Sequence, residues 1–209
     1  FSSGVPYIIS WVGPNGFTSS ATTISNLEPG NYDLTITDNG NCPYIDSYTI
    51  TEPADIVIST ISKLDISCFG SNNGSVDIDV IGGTGAFFYT WTKDGAPFAT
   101  SQDLSNLTPG NYTISITDAN NCGPKTDSFT IIEPPLLVVS LISKTDILCF
   151  GAATGAINID VTGGTPSSSG YNFSWTGPDG FTDSNQNLDN IIAGIYDLID
   201  TDRQSCSKN

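Results

Sequence analysis

Five cysteines are the residues of this 209-residue sequence best equipped for covalent chemistry, and they fall into two series. Cys42, Cys122 and Cys206 close the stretches T-D-N-G-N-C, T-D-A-N-N-C and T-D-R-Q-S-C, at spacings of 80 and 84 residues. Cys68 and Cys149 stand in D-I-S-C-F-G and D-I-L-C-F-G, 81 residues apart. A cysteine can act as a nucleophile, a metal ligand or half of a disulfide. Histidine is absent, which removes Cys-His and Ser-His-Asp nucleophiles, His-ligated zinc and the imidazole proton shuttle. The acidic and amide side chains beside the late cysteines (Asp38, Asn39, Asn41; Asp118, Asn120, Asn121) are of the oxygen-donor type that holds calcium, although no D-x-D-x-D-G loop is present. The other reading of these residues is a solvated turn that ends a strand. Asp77 and Asp79, two residues apart, share one face of a strand, where solubility and edge protection explain them better than glycoside hydrolysis does. Nothing assembles a nucleophile, a base and an oxyanion site, so the sequence does not read as an enzyme.

Composition narrows the partners. Twenty-two acidic residues against 6 basic ones give a formal charge of −16, too negative for a nucleic-acid backbone or an anionic membrane surface. No apolar run approaches the roughly 20 residues of a membrane span, and no signal peptide is visible. Asn73, Asn111 and Asn172 begin N-x-S/T triplets, a pattern short enough to arise by chance.

The two cysteine series are part of a longer repeat. Residues 26–42 (NLEPGNYDLTITDNGNC), 106–122 (NLTPGNYTISITDANNC) and 190–206 (NIIAGIYDLIDTDRQSC) correspond, as do 65–83 and 146–164. Trp11, Trp91 and Trp175 keep the same spacings of 80 and 84. In register, Phe1 matches Ile81, and Asn209 falls before the counterpart of DSFTIIEP. The expected domains are therefore 1–53, the C-terminal part of a repeat; 54–134, a complete one; and 135–209, a repeat lacking its last strand.

Within a repeat the apolar period is two: Val76, Ile78, Val80; Phe87, Tyr89, Trp91; Tyr112, Ile114, Ile116. That is the pattern of antiparallel strands with one buried face. Asn15-Gly16, Asp94-Gly95 and Asp179-Gly180 read as hairpin turns. The L-x-P-G-x-Y segments place Tyr32 and Tyr112 like the tyrosine corner of immunoglobulin-like sandwiches; the third repeat has Ala193-Gly194 but keeps Tyr196. With Trp11, Trp91 and Trp175 these tyrosines are expected in the core. The expected fold is all-β: tandem immunoglobulin-like β-sandwich domains in an extended array, with short E-P-A (52–54) and E-P-P (133–135) joints.

The order C-F-G, G-G-T, aromatic-x-W, D-G, N-L-x-P-G-x-Y, T-D-x-x-x-C and E-P resembles the SprB-type repeat of very large surface adhesins in gliding and related Bacteroidetes. The resemblance implies export to the cell surface through the type IX secretion route and a role in adhesion or motility, with the chain as stalk and the ligand-binding regions elsewhere in the parent. It implies extracellular localisation, neighbouring repeats as partners, and polysaccharide or cell-surface ligands bound elsewhere; the residues themselves call for no cofactor beyond calcium. In such a setting the cysteines read as disulfides. Two schemes stay open. Parity suggests Cys68–Cys122 and Cys149–Cys206, with Cys42 left over. Sandwich topology, with a first strand of about 40 Å over 55–67, instead carries Cys68 to the late turn of the following repeat, Cys206, and favours a staple between domains. Two other functions fit the pattern: a carbohydrate-binding array using Phe17, Phe98 and Phe181, and a structural filament subunit.

Overall fold

The structure, a computed structural model, describes residues 7–208; among them are strands, turns and two single 3-10 turns, and no α-helix. Phe1, matched in sequence to Ile81, lies outside the described residues. The chain divides into two compact units, 1–55 and 56–209.

The first unit holds β1 (Ile8–Val12), β2 (Thr18–Ser19), β3 (Gly30–Thr37) and β4 (Pro43–Ile50) in one antiparallel sheet ordered β2-β1-β3-β4. Its buried face is set by alternation along β3, where Tyr32 and Leu34 point inward, with Trp11 opposite Leu34 on the neighbouring strand.

The second unit begins with β5 (Val57–Leu64), β6 (Gly74–Ile81), β7 (Phe87–Lys93), β8 (Ala96–Ala99), β9 (Leu104–Leu107), β10 (Gly110–Asp118) and β11 (Lys125–Ile131). They form the sheets β5-β6-β9 and β11-β10-β7-β8. The two-residue period turns Val76, Ile78 and Val80 of one sheet toward Trp91, Tyr112, Ile114, Ile116 and Phe129 of the other. A second sandwich follows with β12 (Val138–Thr145), β13 (Gly155–Thr162), β14 (Asn172–Thr176), β15 (Thr182–Asp183), β16 (Leu188–Ile191), β17 (Asp197–Thr201) and β18 (Ser207–Lys208). Its sheets are β12-β13-β16 and β15-β14-β17-β18, closed around Leu137, Ile159, Val161, Trp175, Leu188 and Ile191. Each sandwich of the second unit thus has its own core.

The hairpin signals hold at the level of backbone angles. Both residues of Asn15-Gly16, Asp94-Gly95 and Asp179-Gly180 have positive φ, which short polar residues and glycine tolerate and which matches the twist of the flanking strands. Each tryptophan indole donates to a carbonyl ten residues on: Ala21 for Trp11, Ser101 for Trp91 and Asn185 for Trp175. The donor left by burying a large aromatic ring is thereby satisfied.

One expectation is corrected. The single long strand over 55–67 is shorter, because β5 covers only Val57–Leu64 and its pairing with β6 slips between Thr60 and Ser62. A bulge at Ile61 absorbs one residue and bends the strand, leaving a length of about 26 Å rather than 40 Å. The same slip recurs between Leu141 and Ser143 of β12.

Candidate functional site

The site lies inside the second unit, where the first sandwich ends and the next begins. Beyond β5 the chain turns through Asp65-Ile66-Ser67-Cys68-Phe69-Gly70. Asp65 accepts from the Lys63 ammonium at 2.8 Å and from the Ile132 amide at 3.0 Å, and the Ile66 amide returns a bond to the Ile132 carbonyl at 3.0 Å. Lys63 also donates to the Thr130 carbonyl, and the Gly70 amide donates to Glu133 Oε2 at 2.9 Å. Burial pushes the Asp65 carboxyl up, but the Lys63 hydrogen bond, the Ile132 amide and the Lys63 charge outweigh it, so Asp65 ends below its ordinary value. This early loop is therefore laced to the segment by which the chain leaves the sandwich, Ile132-Glu133-Pro134. Cys68 is carried on that lacing.

The incoming side is built from the Gly163-Gly164-Thr165 turn and the late turn that holds Cys206. The Gly164 amide donates to the Pro135 carbonyl at 2.8 Å. A Cβ on Gly163 would stand 1.9 Å from the Leu136 carbonyl oxygen, and its φ is +78°, so both space and backbone demand glycine there. Asp202, buried, accepts on one oxygen from the Gln204 and Cys206 amides and on the other from the Thr165 amide and hydroxyl. Burial raises this carboxyl, and those hydrogen bonds more than reverse the effect, leaving it lowered. Ser205, at φ 64°, turns the chain so that Cys206 faces the early loop.

The two sides meet in a covalent bond. Cys68 and Cys206 form a disulfide with Cα atoms 5.5 Å apart, across 138 residues of sequence. The Cys206 sulfur also lies 3.2 Å from the Ser67 carbonyl oxygen, a packing contact since a bonded sulfur has no proton to donate. Beside the bond is a cleft of about 600 Å³ whose lining includes Ile66, Asn73, Glu133, Pro134, Thr165 and Gln204. Cys42, Cys122 and Cys149 are free thiols on exposed residues. Cys68 and Cys122 sit at opposite ends of one sandwich: β10 runs nine residues, about 30 Å at strand rise, between the end paired with Ile131 and the turn that carries Cys122. A disulfide tolerates no more than about 7 Å between Cα atoms. Partial loss of solvent around the sulfur in its turn, then the Asp118 carboxylate, pushes the Cys122 thiol up, away from a reactive thiolate.

Two of the residues singled out for calcium, Asp118 and Asn120, spend their side chains on the turn itself. Asp118 is fully buried and takes four donors: the Asn120 and Cys122 amides on one oxygen, the Thr84 amide and hydroxyl on the other. A carboxylate offers about four lone-pair sites, so none is left for a cation. Asn120 spends its side-chain amide on the Thr84 hydroxyl, and Asp38 accepts from the Gly40 and Cys42 amides. Among the described residues no three His, Cys, Asp or Glu side chains gather as a metal site. The aspartate of T-D-x-x-x-C is the organiser of the turn that presents the cysteine. The Cys122 amide first, then the Thr84 and Asn120 donors, hold Asp118 at about 2 against the opposing effect of burial. Since a depressed folded value stabilises above the unfolded one, this contribution is complete above 3.8 and is lost as pH falls toward 2. Thermal melts between about pH 4 and pH 2 are expected to show a steep loss in the unmodified chain and a shallower one in Asp118→Asn; parallel curves would refute this role.

The aromatic candidates are committed to packing. Tyr32, Tyr112 and Tyr196 donate their hydroxyls to the carbonyls of Glu28, Thr108 and Ile192, four residues back in each case. Phe17, Phe98 and Phe181 stand edge-on against these tyrosines with ring centres 5.3, 5.2 and 5.3 Å apart. Trp91 and Trp175 are buried and Trp11 is half-buried. The rings expected of a flat sugar platform therefore buttress the tyrosine corner.

Sequence reading missed Asp200, which is fully buried with neither carboxylate oxygen hydrogen-bonded. It points inward from β17 at the position that Ile116 takes in β10. Burial, then the Asp202 charge, pushes its carboxyl up, and a weaker backbone contact from Thr201 does not reverse this.

Comparison with known proteins agrees with the geometry. A solved structure of the three N-terminal domains of the bacteriophage RB49 Highly Immunogenic Outer Capsid protein (Hoc) is similar in fold, with a TM-score of 0.51 and 12% identity over 95% of this chain and 74% of that one. At that identity the likeness speaks of fold alone: tandem immunoglobulin-like sandwiches. No curated protein matches the chain. The profile of a structural repeat, one of surface-exposed proteins and not of enzymes, matches on either side of the disulfide-linked junction. Residues 60–96 and 141–180 match the model of the SprB repeat.

Proposed function

We propose that this chain is a length of the stalk of a filamentous, secreted cell-surface adhesin that serves surface attachment or gliding motility. The observation that carries the reading is the junction: two SprB-repeat sandwiches are joined by a disulfide, a laced early loop and a proline-containing linker. Such a joint resists bending and shear. Everything chemical in the repeat is spent on architecture, which suits a spacer that holds ligand-binding regions away from the cell and multiplies weak contacts along its length. On this reading the neighbours of each repeat are other repeats, export follows the type IX route, and the polysaccharide or cell-surface ligand is bound elsewhere in the parent.

The test is location. Antibody raised against this chain is expected to label intact source cells, and brief external protease to strip the label. Labelling that appears only after permeabilisation would overturn the reading.

A further inference from the structure

We propose that the Cys68–Cys206 bond is one rung of a ladder, in which the early-loop cysteine of each repeat bonds the late-turn cysteine of the repeat that follows it. Cys149 is then an open early half, and Cys42 and Cys122 are open late halves. This stands on the bond and the repeat, independently of the adhesin reading.

Three observations carry it. The first is the pattern of free thiols. Pairing within repeats would leave only Cys42 unmatched; the ladder leaves Cys42, Cys122 and Cys149, the three that are free. The second is the frame around each thiol. Cys149 sits in the same loop as Cys68: the Ala152 amide donates to the Cys149 carbonyl as Ser71 does to Cys68, both at 3.0 Å. Gly151 and Gly70 share φ of 76° and 75°, and Lys144–Asp146 repeats Lys63–Asp65. On the late side, Asp38, Asp118 and Asp202 each fix the amide of the cysteine four residues on, and the residue before each cysteine has φ near +60°. The third is the surface at Cys149. Leu148 and Phe150 flank it, 83% and 110% exposed, an apolar pair with the chemistry of a surface that a following domain covers.

The bond forms by thiol–disulfide exchange, with a small-molecule disulfide such as oxidised glutathione as the oxidant. The Cys149 thiolate attacks one sulfur of the oxidant, expelling one glutathione thiolate and leaving a mixed disulfide. The late-turn thiolate then attacks the Cys149 sulfur and expels the second glutathione. Two protein thiols are oxidised, two glutathione thiols are produced, and their protons are those the cysteines gave up.

The experiment extends the full chain by one repeat. Residues 123–209 are joined directly after Cys206, which supplies the third repeat with the closing strand 125–131, an E-P-P joint and a following repeat. After equilibration in a glutathione redox buffer, non-reducing peptide mass mapping is expected to find Cys149 linked to the late cysteine of the added repeat, alongside Cys68–Cys206. Cys149→Ser is expected to return that late cysteine to full alkylation by iodoacetamide while Cys68–Cys206 persists. A Cys149 that stays alkylated while Cys68–Cys206 forms would overturn the ladder. So would a Cys149–Cys122 link, or failure of Cys68–Cys206 itself to form.

Discussion

Reduction of the Cys68–Cys206 disulfide is expected to lower the stability of the second unit by about 2–5 kcal/mol, the range for removing a native cross-link that closes a long loop. The 138-residue separation places it toward the upper part of that range on entropic grounds. The linker should respond as strongly as the melting temperature. Ile132 to Leu136 is held on one side by the Asp65 and Gly70 contacts and on the other by the Gly164 amide. Once the covalent tie is gone, those hydrogen bonds are left to hold the linker, and protease should cut between the two sandwiches. The measurement is a pair of melts with and without reductant, for the unmodified chain and for the Cys68→Ser/Cys206→Ser double variant. The variant should melt low in both conditions. An unmodified chain whose melting and protease resistance ignore reductant would defeat the prediction.

Asp200→Ile is expected to stabilise the last sandwich. The substitution removes a buried carboxylate with no hydrogen-bond partner, relieving about 1–3 kcal/mol of unsatisfied polar burial, and adds apolar area worth about 1.5–3 kcal/mol when fully buried. Overpacking is the opposing risk, but Ile116 occupies the equivalent place in β10 with no exposed surface. A melting temperature higher by on the order of 10 °C is the expected size for a domain of this length. The pH dependence separates the charge from the volume. Burial and Asp202 raise the folded value of Asp200, so its stability contribution is complete below the ordinary carboxylate value and is lost as pH rises through the raised one. The groups around it from each packed element are Asp202, Tyr171 and, opposite in register on β18, Lys208. The gain from Asp200→Ile should therefore be larger at neutral pH than at acid pH, and Asp200→Asn should show the pH effect without the packing gain. A melting temperature for Asp200→Ile equal to or below that of the unmodified chain at neutral pH would refute it.

Much of the fold was legible because the sequence states its pattern three times. Alternation in Val76-Asp77-Ile78-Asp79-Val80 and in Tyr112-Thr113-Ile114-Ser115-Ile116 settles which faces are inside, since a strand has only two. Asp94-Gly95 and its counterparts mark turns by chemistry that few other residues can supply. The bulge at Ile61 was not legible: an extra residue in an apolar strand leaves the composition unchanged and announces itself only through the partner's register. The role of the late aspartates was only half legible, as a turn that ends a strand. Asp118 in a polar turn looks like an oxygen donor to solvent or a cation, and only the return of Thr84 from a distant strand end shows where its lone pairs go. Asp200, by contrast, left a signal. Aligned on Tyr32, Tyr112 and Tyr196, its column reads Ile36, Ile116, Asp200, and the phase with Leu198 points it inward.

The 138 residues between Cys68 and Cys206 order the events of folding. Each sandwich of the second unit closes around its own core, so one can fold before the other. The partner of Cys68 belongs to the later sandwich, which has its own core to close. The earlier sandwich can therefore be folded yet free at its trailing end, and the joint stiffens only when the later one has acquired its late turn. The closed Cys68–Cys206 bond thus records that the sandwich after it has folded.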